Sequence, residues 1–134
     1  MAITTTISTK ELKRQAAACF EGKTLKVMLC NVGSTGYGAE STVANWQSAE
    51  VTGNGYARFT ATIGTSTYNN TTARQELPII NAAFAASGGA INYDRVVIYI
   101  DGETYIHSLV VENPNIILSA GQTQTYAITL SQDD

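Results

Sequence analysis

A chain of 134 residues is long enough to bury a hydrophobic core without metal or disulfide staples. Charged residues make up 14% of it and hydrophobic residues 44%, against about 25% charged in an average domain, and Thr, Ser, Asn, Gln and Gly supply the polar surface instead. The formal net charge of −3, with no basic stripe interleaved with aromatics, disfavours nucleic-acid binding, and no apolar run approaches a membrane span.

In chain order, residues 1–9 read as an extended arm, with Ile3, Thr5 and Ile7 alternating against Thr4 and Thr6. Such an arm is either frayed or laid on a neighbouring subunit. The segment 10–134 reads as a single β-sandwich domain with a helix at its start. That helix is Lys10 to Phe20. Ser8 or Thr9 caps it, Glu11 favours its positive end, and Leu12, Ala16, Cys19 and Phe20 share one face. Lys10, Lys13, Arg14, Lys23 and Lys26 place five of the eight basic residues before position 27. This is a solvated helix face or a basic element that docks on an acidic surface, with Lys10, Lys13 and Arg14 as its contacts. Cys19 and Cys30 read as reduced, largely buried thiols, since residues 1–9 lack the apolar stretch of a secretory signal. Two cysteines and one histidine do not complete a four-ligand zinc site, and no cofactor is expected.

Thr24 to Asn31 reads as a strand, and Gly33 to Gly38 as a Gly-rich loop without the ending of a P-loop. Thr42 to Ala49 is a short helix or a loop that buries Trp46. Gly53-Asn54-Gly55 is a turn. From Tyr56 to Ile63, Ala57, Phe59, Ala61 and Ile63 alternate inward, with Arg58, Thr60 and Thr62 outward. Thr65 to Thr72 is polar and reads as a loop. Gln75 to Ala85 has helical composition, but Pro78 within it favours a strand.

The strongest signal lies in Val96 to Val111, where two β-branched and aromatic runs flank Asp101-Gly102. A two-residue type I′ turn there sets Ile98 opposite Tyr105, Val96 opposite His107 and Val97 opposite Ile106. Apolar side chains then point both ways, so both faces of the sheet need a cover: a second sheet, a helix or another subunit. Strands over Asn115 to Leu118 and Thr123 to Ser131 complete a mainly β fold. The expected class is an antiparallel β-sandwich, jelly-roll-like, with one short N-terminal helix.

Chemistry is sparse. His107 is the sole histidine and reads as a core or interface residue ahead of a general base. No nucleophile elbow accompanies it, which leaves a small hydrolase as a remote reading. Tyr37, Tyr56 and Tyr68 are side chains of the kind that stack on sugars. Tyr56 and Arg58, after the tight turn, stand out as candidate partner contacts.

The segment Glu50-Val51-Thr52-Gly53-Asn54-Gly55-Tyr56-Ala57-Arg58, the run Val96 to Gly102 and the step Ser119-Ala120-Gly121-Gln122-Thr123 resemble small structural proteins of tailed bacteriophages. The resemblance spans most of the chain and carries no catalytic residue. It implies a virion component assembled in the host cytoplasm, of the capsid cement or decoration type. Such a protein is expected to be a homo-oligomer, with a trimer favoured, and to contact the major capsid protein or other virion subunits. No nucleic acid or membrane partner is implied. The alternative is a tail-fibre or receptor-binding module that recognises host surface glycans.

Overall fold

The computed structural model of the chain describes residues 13–15, 18–32, 37–72 and 74–133. Strands hold 47% of the described residues and helices 9%, so the fold is mainly β with antiparallel sheets. Chain contacts group into two compact units: Thr24–Ala61 with Asn81–Tyr126, and Met1–Lys23 with Thr62–Ile80 and Ala127–Asp134.

The first unit is built on strand β1 (Thr24–Cys30), which lies in a four-stranded sheet of order β2-β1-β6-β7 with β2 (Phe59–Thr62), β6 (Ile91–Ile100) and β7 (Ser108–Leu118). Antiparallel pairing of β1 with β6 sets Leu25 opposite Ile100, Val27 opposite Ile98 and Leu29 opposite Val96 on one face. Met28 opposite Val97 and Lys26 opposite Tyr99 fall on the other. Leu25, Val27, Leu29, Val96, Met28 and Val97 are all fully buried, each contributing about 1.5–3 kcal/mol relative to exposure. A strand buried on both faces reads as a continuous apolar run, which is the pattern of Val96 to Ile100.

Two different elements supply the cover. On the Met28 and Val97 face lies the five-residue helix α1 (Val43–Gln47). Its cap is reciprocal: the Asn45 N–H donates to the Thr42 hydroxyl, and the Thr42 N–H donates to the Asn45 side chain. That satisfies two otherwise orphaned donors. The helix delivers Val43 and Trp46 into a cluster with Met28, Cys30, Val32, Val97 and Tyr99, and the indole N–H of Trp46 donates to the Gly38 carbonyl at 3.2 Å. On the opposite side is the two-stranded sheet of β5 (Ile80–Ala85) and β8 (Thr123–Ile128). There Phe84 stacks on Tyr56 with ring centroids 6.1 Å apart, and the Tyr126 hydroxyl meets that of Tyr93 at 2.7 Å. Helix and second sheet thus both come from the same chain.

The central hairpin departs from its sequence reading. Val97 pairs with Leu109 and Val96 with Val110, a shift of three residues from the expected Ile106 and His107. Positive φ occurs at Gly102 (91°) and not at Asp101, so the 100–103 turn, closed by Glu103 N–H to Ile100 O at 3.1 Å, is of type II character and not I′. The Asp101 N–H is already committed to the Thr24 carbonyl on β1. Residues 103–107 detour to α1 before rejoining β6: the Val43 N–H donates to Thr104 O, Tyr105 bridges Thr42, and the His107 N–H donates to Ile98 O. Anchoring the helix over the core outweighs the shortest possible turn.

The second unit holds a three-stranded sheet of order β3-β4-β9, from β3 (Thr67–Asn69), β4 (Arg74–Glu76) and β9 (Ser131–Asp133). Part of the expected 65–72 loop is therefore a strand, paired Thr67 to Glu76. The 69–72 turn is held by the Asn69 side chain, which accepts from the N–H groups of Thr71 and Thr72. The 75–85 segment is strand and not helix, as Pro78 implies against its composition, but it is two strands, β4 and β5, with Pro78 between them where the sequence reads as one. Ile63, Leu77 and Leu130 are buried here. Residues 13–15 and 18–19 are helical, and Cys19 is an exposed free thiol. That corrects its expected burial; the expected helix face groups it with Leu12 and Ala16. Those two residues lie outside the described ones, as do Ile3, Thr5, Ile7 and Lys10.

Candidate functional site

The turn Gly53-Asn54-Gly55 carries positive φ at all three residues, 82°, 54° and 78°. Asn and Gly are the residue types that tolerate this. The turn is tied down by the Asn54 carboxamide, which donates to Ala90 O at 2.7 Å, and by Ser87 N–H to Asn54 O at 2.9 Å. The chain leaves the turn irregularly, and regular strand begins only at Phe59. Ala57 is consequently exposed and Arg58 turns inward, the reverse of what is expected of these two, while Phe59, Ala61 and Ile63 are more buried than Thr60 and Thr62 as the alternation predicts.

Arg58 reaches Glu50 through two parallel bonds, Nε to Oε2 at 3.0 Å and Nη2 to Oε1 at 2.5 Å. Its Nη1 donates to the Tyr99 hydroxyl at 3.0 Å. The Tyr56 hydroxyl donates to Glu50 Oε2 at 2.5 Å and accepts the Leu29 N–H at 3.2 Å. Glu50 itself is placed by pairing with β1: it bridges Cys30, and the Val51 N–H donates to Leu29 O. The Glu50 side chain is 13% exposed and that of Arg58 30%. Hydrogen bonding to Glu50 raises the Arg58 guanidinium above its ordinary value, and burial, with Glu50 beside it, pushes the Tyr56 phenol up. The phenol therefore stays protonated at neutral pH and acts as a donor, not a base.

Tyr56 and Arg58, singled out from sequence, are thus brought together, and Glu50 and Tyr99 complete the group. Glu50 stood in the same quoted motif, yet nothing in its spacing assigns it to Arg58. Chemically the group is a clamp, fixing the 50–58 segment against β1 and β6. One side of it opens on a depression of about 350 Å³ that Lys26 and Thr60 help to line.

The other candidates lie elsewhere. Lys13 bonds Glu21, and its ammonium also donates to the Ser66 carbonyl and hydroxyl at 3.0 and 3.1 Å. Glu21 accepts from the Ser66 N–H at 2.9 Å as well, and the Lys13 hydrogen bond holds its carboxyl below the ordinary range. Arg14 is exposed on the same helical stretch. Tyr37 packs edge-on against Trp46, centroids 5.8 Å apart, and Tyr68 is half-buried in β3. His107 is exposed, precedes β7 and shares a 3.2 Å contact with the Ser108 hydroxyl. Cys30 is buried, donates to Trp46 O at 3.3 Å, and has its thiol pushed up to about 12 by burial beside Glu50 and Asp94. Among the described residues no group of three or more His, Cys, Asp or Glu side chains is placed to hold a metal ion, and no helix is long and apolar enough to cross a membrane. No family model, curated protein or solved structure matches the chain.

Proposed function

We propose that the chain is a non-catalytic virion structural protein of the capsid cement or decoration type. It would stabilise a shell through contacts with copies of itself, as a trimer, and with capsid subunits. The motifs around Tyr56, Val96 and Gly121 support this reading through their likeness to phage structural proteins. The structural observation that carries it is β7. This is an edge strand of eleven residues with Glu112 as its only charge, and Val110, Val111 and Ile117 on it are 37%, 55% and 61% exposed. A long edge strand with few charges and uncovered apolar side chains is a surface for association. Burial available only in the assembled particle stabilises that particle by linkage.

The test is made on particles. A cement protein is present in hundreds of copies, a tail or fibre component in a handful, so quantitative mass spectrometry of virions separates the two. Particles lacking the protein should release DNA at lower temperature than complete ones. Unchanged release, or a handful of copies, removes the cement reading.

A further inference from the structure

Between β6 and β7 the ladder opens. Arg95 pairs with Val111 and Tyr93 with Ile116, so Asp94 alone stands opposite the four residues Glu112 to Asn115. An interruption of this kind re-aims side chains and recurs beside functional sites. Here it walls a cleft of about 600 Å³, within the range of roughly 300–1,000 Å³ typical of small-ligand sites.

The lining is dominated by carboxamides, those of Asn31, Asn92, Asn113 and Asn115, with Asp94, Arg95 and Glu112 among them. Most are already fixed in place. Asp94, 7% exposed, accepts the Val32 N–H at 3.0 Å and lies 3.5 Å from Arg95 Nη1. Asn31 donates to Asn92 O at 3.3 Å, and Asn115 donates to the Asn92 side chain. Glu112 receives the Tyr126 hydroxyl at 3.3 Å. Asn113 stands exposed at the lip, and Val111 and Pro114 add apolar surface.

We propose that this cleft binds a saccharide. Each ring hydroxyl both donates and accepts, and a carboxamide offers both roles in one plane. Carboxylates and a guanidinium held beside such groups match neighbouring hydroxyls two bonds at a time, while Val111 and Pro114 give a surface for the C–H face of the ring. The charges argue against simpler ligands. A phosphate would face Asp94 and Glu112, and a divalent cation would face Arg95. The inference stands on the cleft alone and does not depend on the virion reading.

The test is an amide NMR titration of the full chain with free glucose, galactose, mannose, N-acetylglucosamine, maltose and lactose at millimolar concentration. At least one sugar should shift the amides of residues 92–95 and 111–115 saturably. Asn113→Ala and Arg95→Ala should each weaken that binding about tenfold, equivalent to about 1.4 kcal/mol, while Ile79→Ser, remote in sequence and exposed, leaves it unchanged. Asn113→Ala keeps the experiment decisive if Arg95→Ala loses its folded spectrum. Three results overturn the proposal. These are no shift with any of the sugars, cleft shifts with inorganic phosphate or calcium chloride but no sugar, and sugar binding that Asn113→Ala does not weaken.

Discussion

The guanidinium of Arg58 is held by Glu50 and Tyr99, and removing it leaves a carboxylate that is 13% exposed with half its partners gone. Fully buried pairs broken in this way cost about 3–5 kcal/mol. Because Arg58 is 30% exposed, water replaces part of the loss, and Arg58→Ala should cost about 2 kcal/mol in urea denaturation. Glu50→Gln with Arg58→Met should cost less than the sum of the single changes, since neither charge is then stranded. Cys30 and Cys19 should differ in reactivity. Cys19 is exposed and Cys30 buried, with its thiol raised to about 12, so a thiolate is scarce at Cys30 near neutrality. Iodoacetamide at pH 8 should label Cys19 in the folded protein and reach Cys30 only after denaturation; equal labelling of both in native buffer contradicts the burial. Glu21 has a depressed folded pKa, chiefly through Lys13. Its contribution is therefore complete above the unfolded carboxylate value, about 4.3, and is lost as pH falls through the lower folded value. Glu21→Gln should flatten that part of the acid limb in melts taken between pH 3 and 6.

At the scale of elements, the 100–103 turn and α1 decide each other. Gly102 has φ of 91° with nothing within 4 Å of where a Cβ would sit. Gly102→Val is thus penalised by backbone strain, about 1–3 kcal/mol, with room for the added Cβ. The pairing of Val96 with Val110 and Val97 with Leu109 lies beyond the 103–107 detour, so the variant should melt lower while keeping its register and solubility. At Gly55, φ is 78° and an added Cβ would come within 2.3 Å of the Ser87 hydroxyl. Gly55→Ala should therefore lower the melting temperature more than Gly102→Ala does. Trp46 is fully buried in the α1 cluster, and Trp46→Ala should cost about 3–5 kcal/mol. As the sole Trp, its fluorescence also reports whether α1 stays seated in each of these variants.

For the whole molecule, the proposed role turns on what covers β7. Val110→Lys with Ile117→Lys places charge on the outer strand at two exposed positions, a device that blocks edge association in natural sheets. The isolated protein should keep its β-sheet circular dichroism and melting temperature, because exposed substitutions cost within about 0.5 kcal/mol. Incorporation into particles should fall sharply. Wild-type incorporation of this variant would show that β7 is not the contact surface.

Much of the architecture was legible in residue order. The run Val96 to Ile100 announced a strand apolar on both faces, Gly53-Asn54-Gly55 announced a turn, and Pro78 turned the 75–85 reading from helix to strand, because backbone sterics and the two-residue side-chain period are local properties. Only the tertiary structure decided which elements cover the sheet, since α1 and the β5–β8 pair meet it through contacts distant in sequence. The same holds for the register of β6 with β7: Asp101-Gly102 fits a two-residue turn by itself, but Asp101 is held by Thr24 and the following residues by α1. The partners of Arg58 and the cleft beside Asp94 were hidden for that reason. A salt bridge between Glu50 and Arg58, or four asparagines from three segments lining one cleft, is a fact of distance in space, and local periodicity carries no information about it.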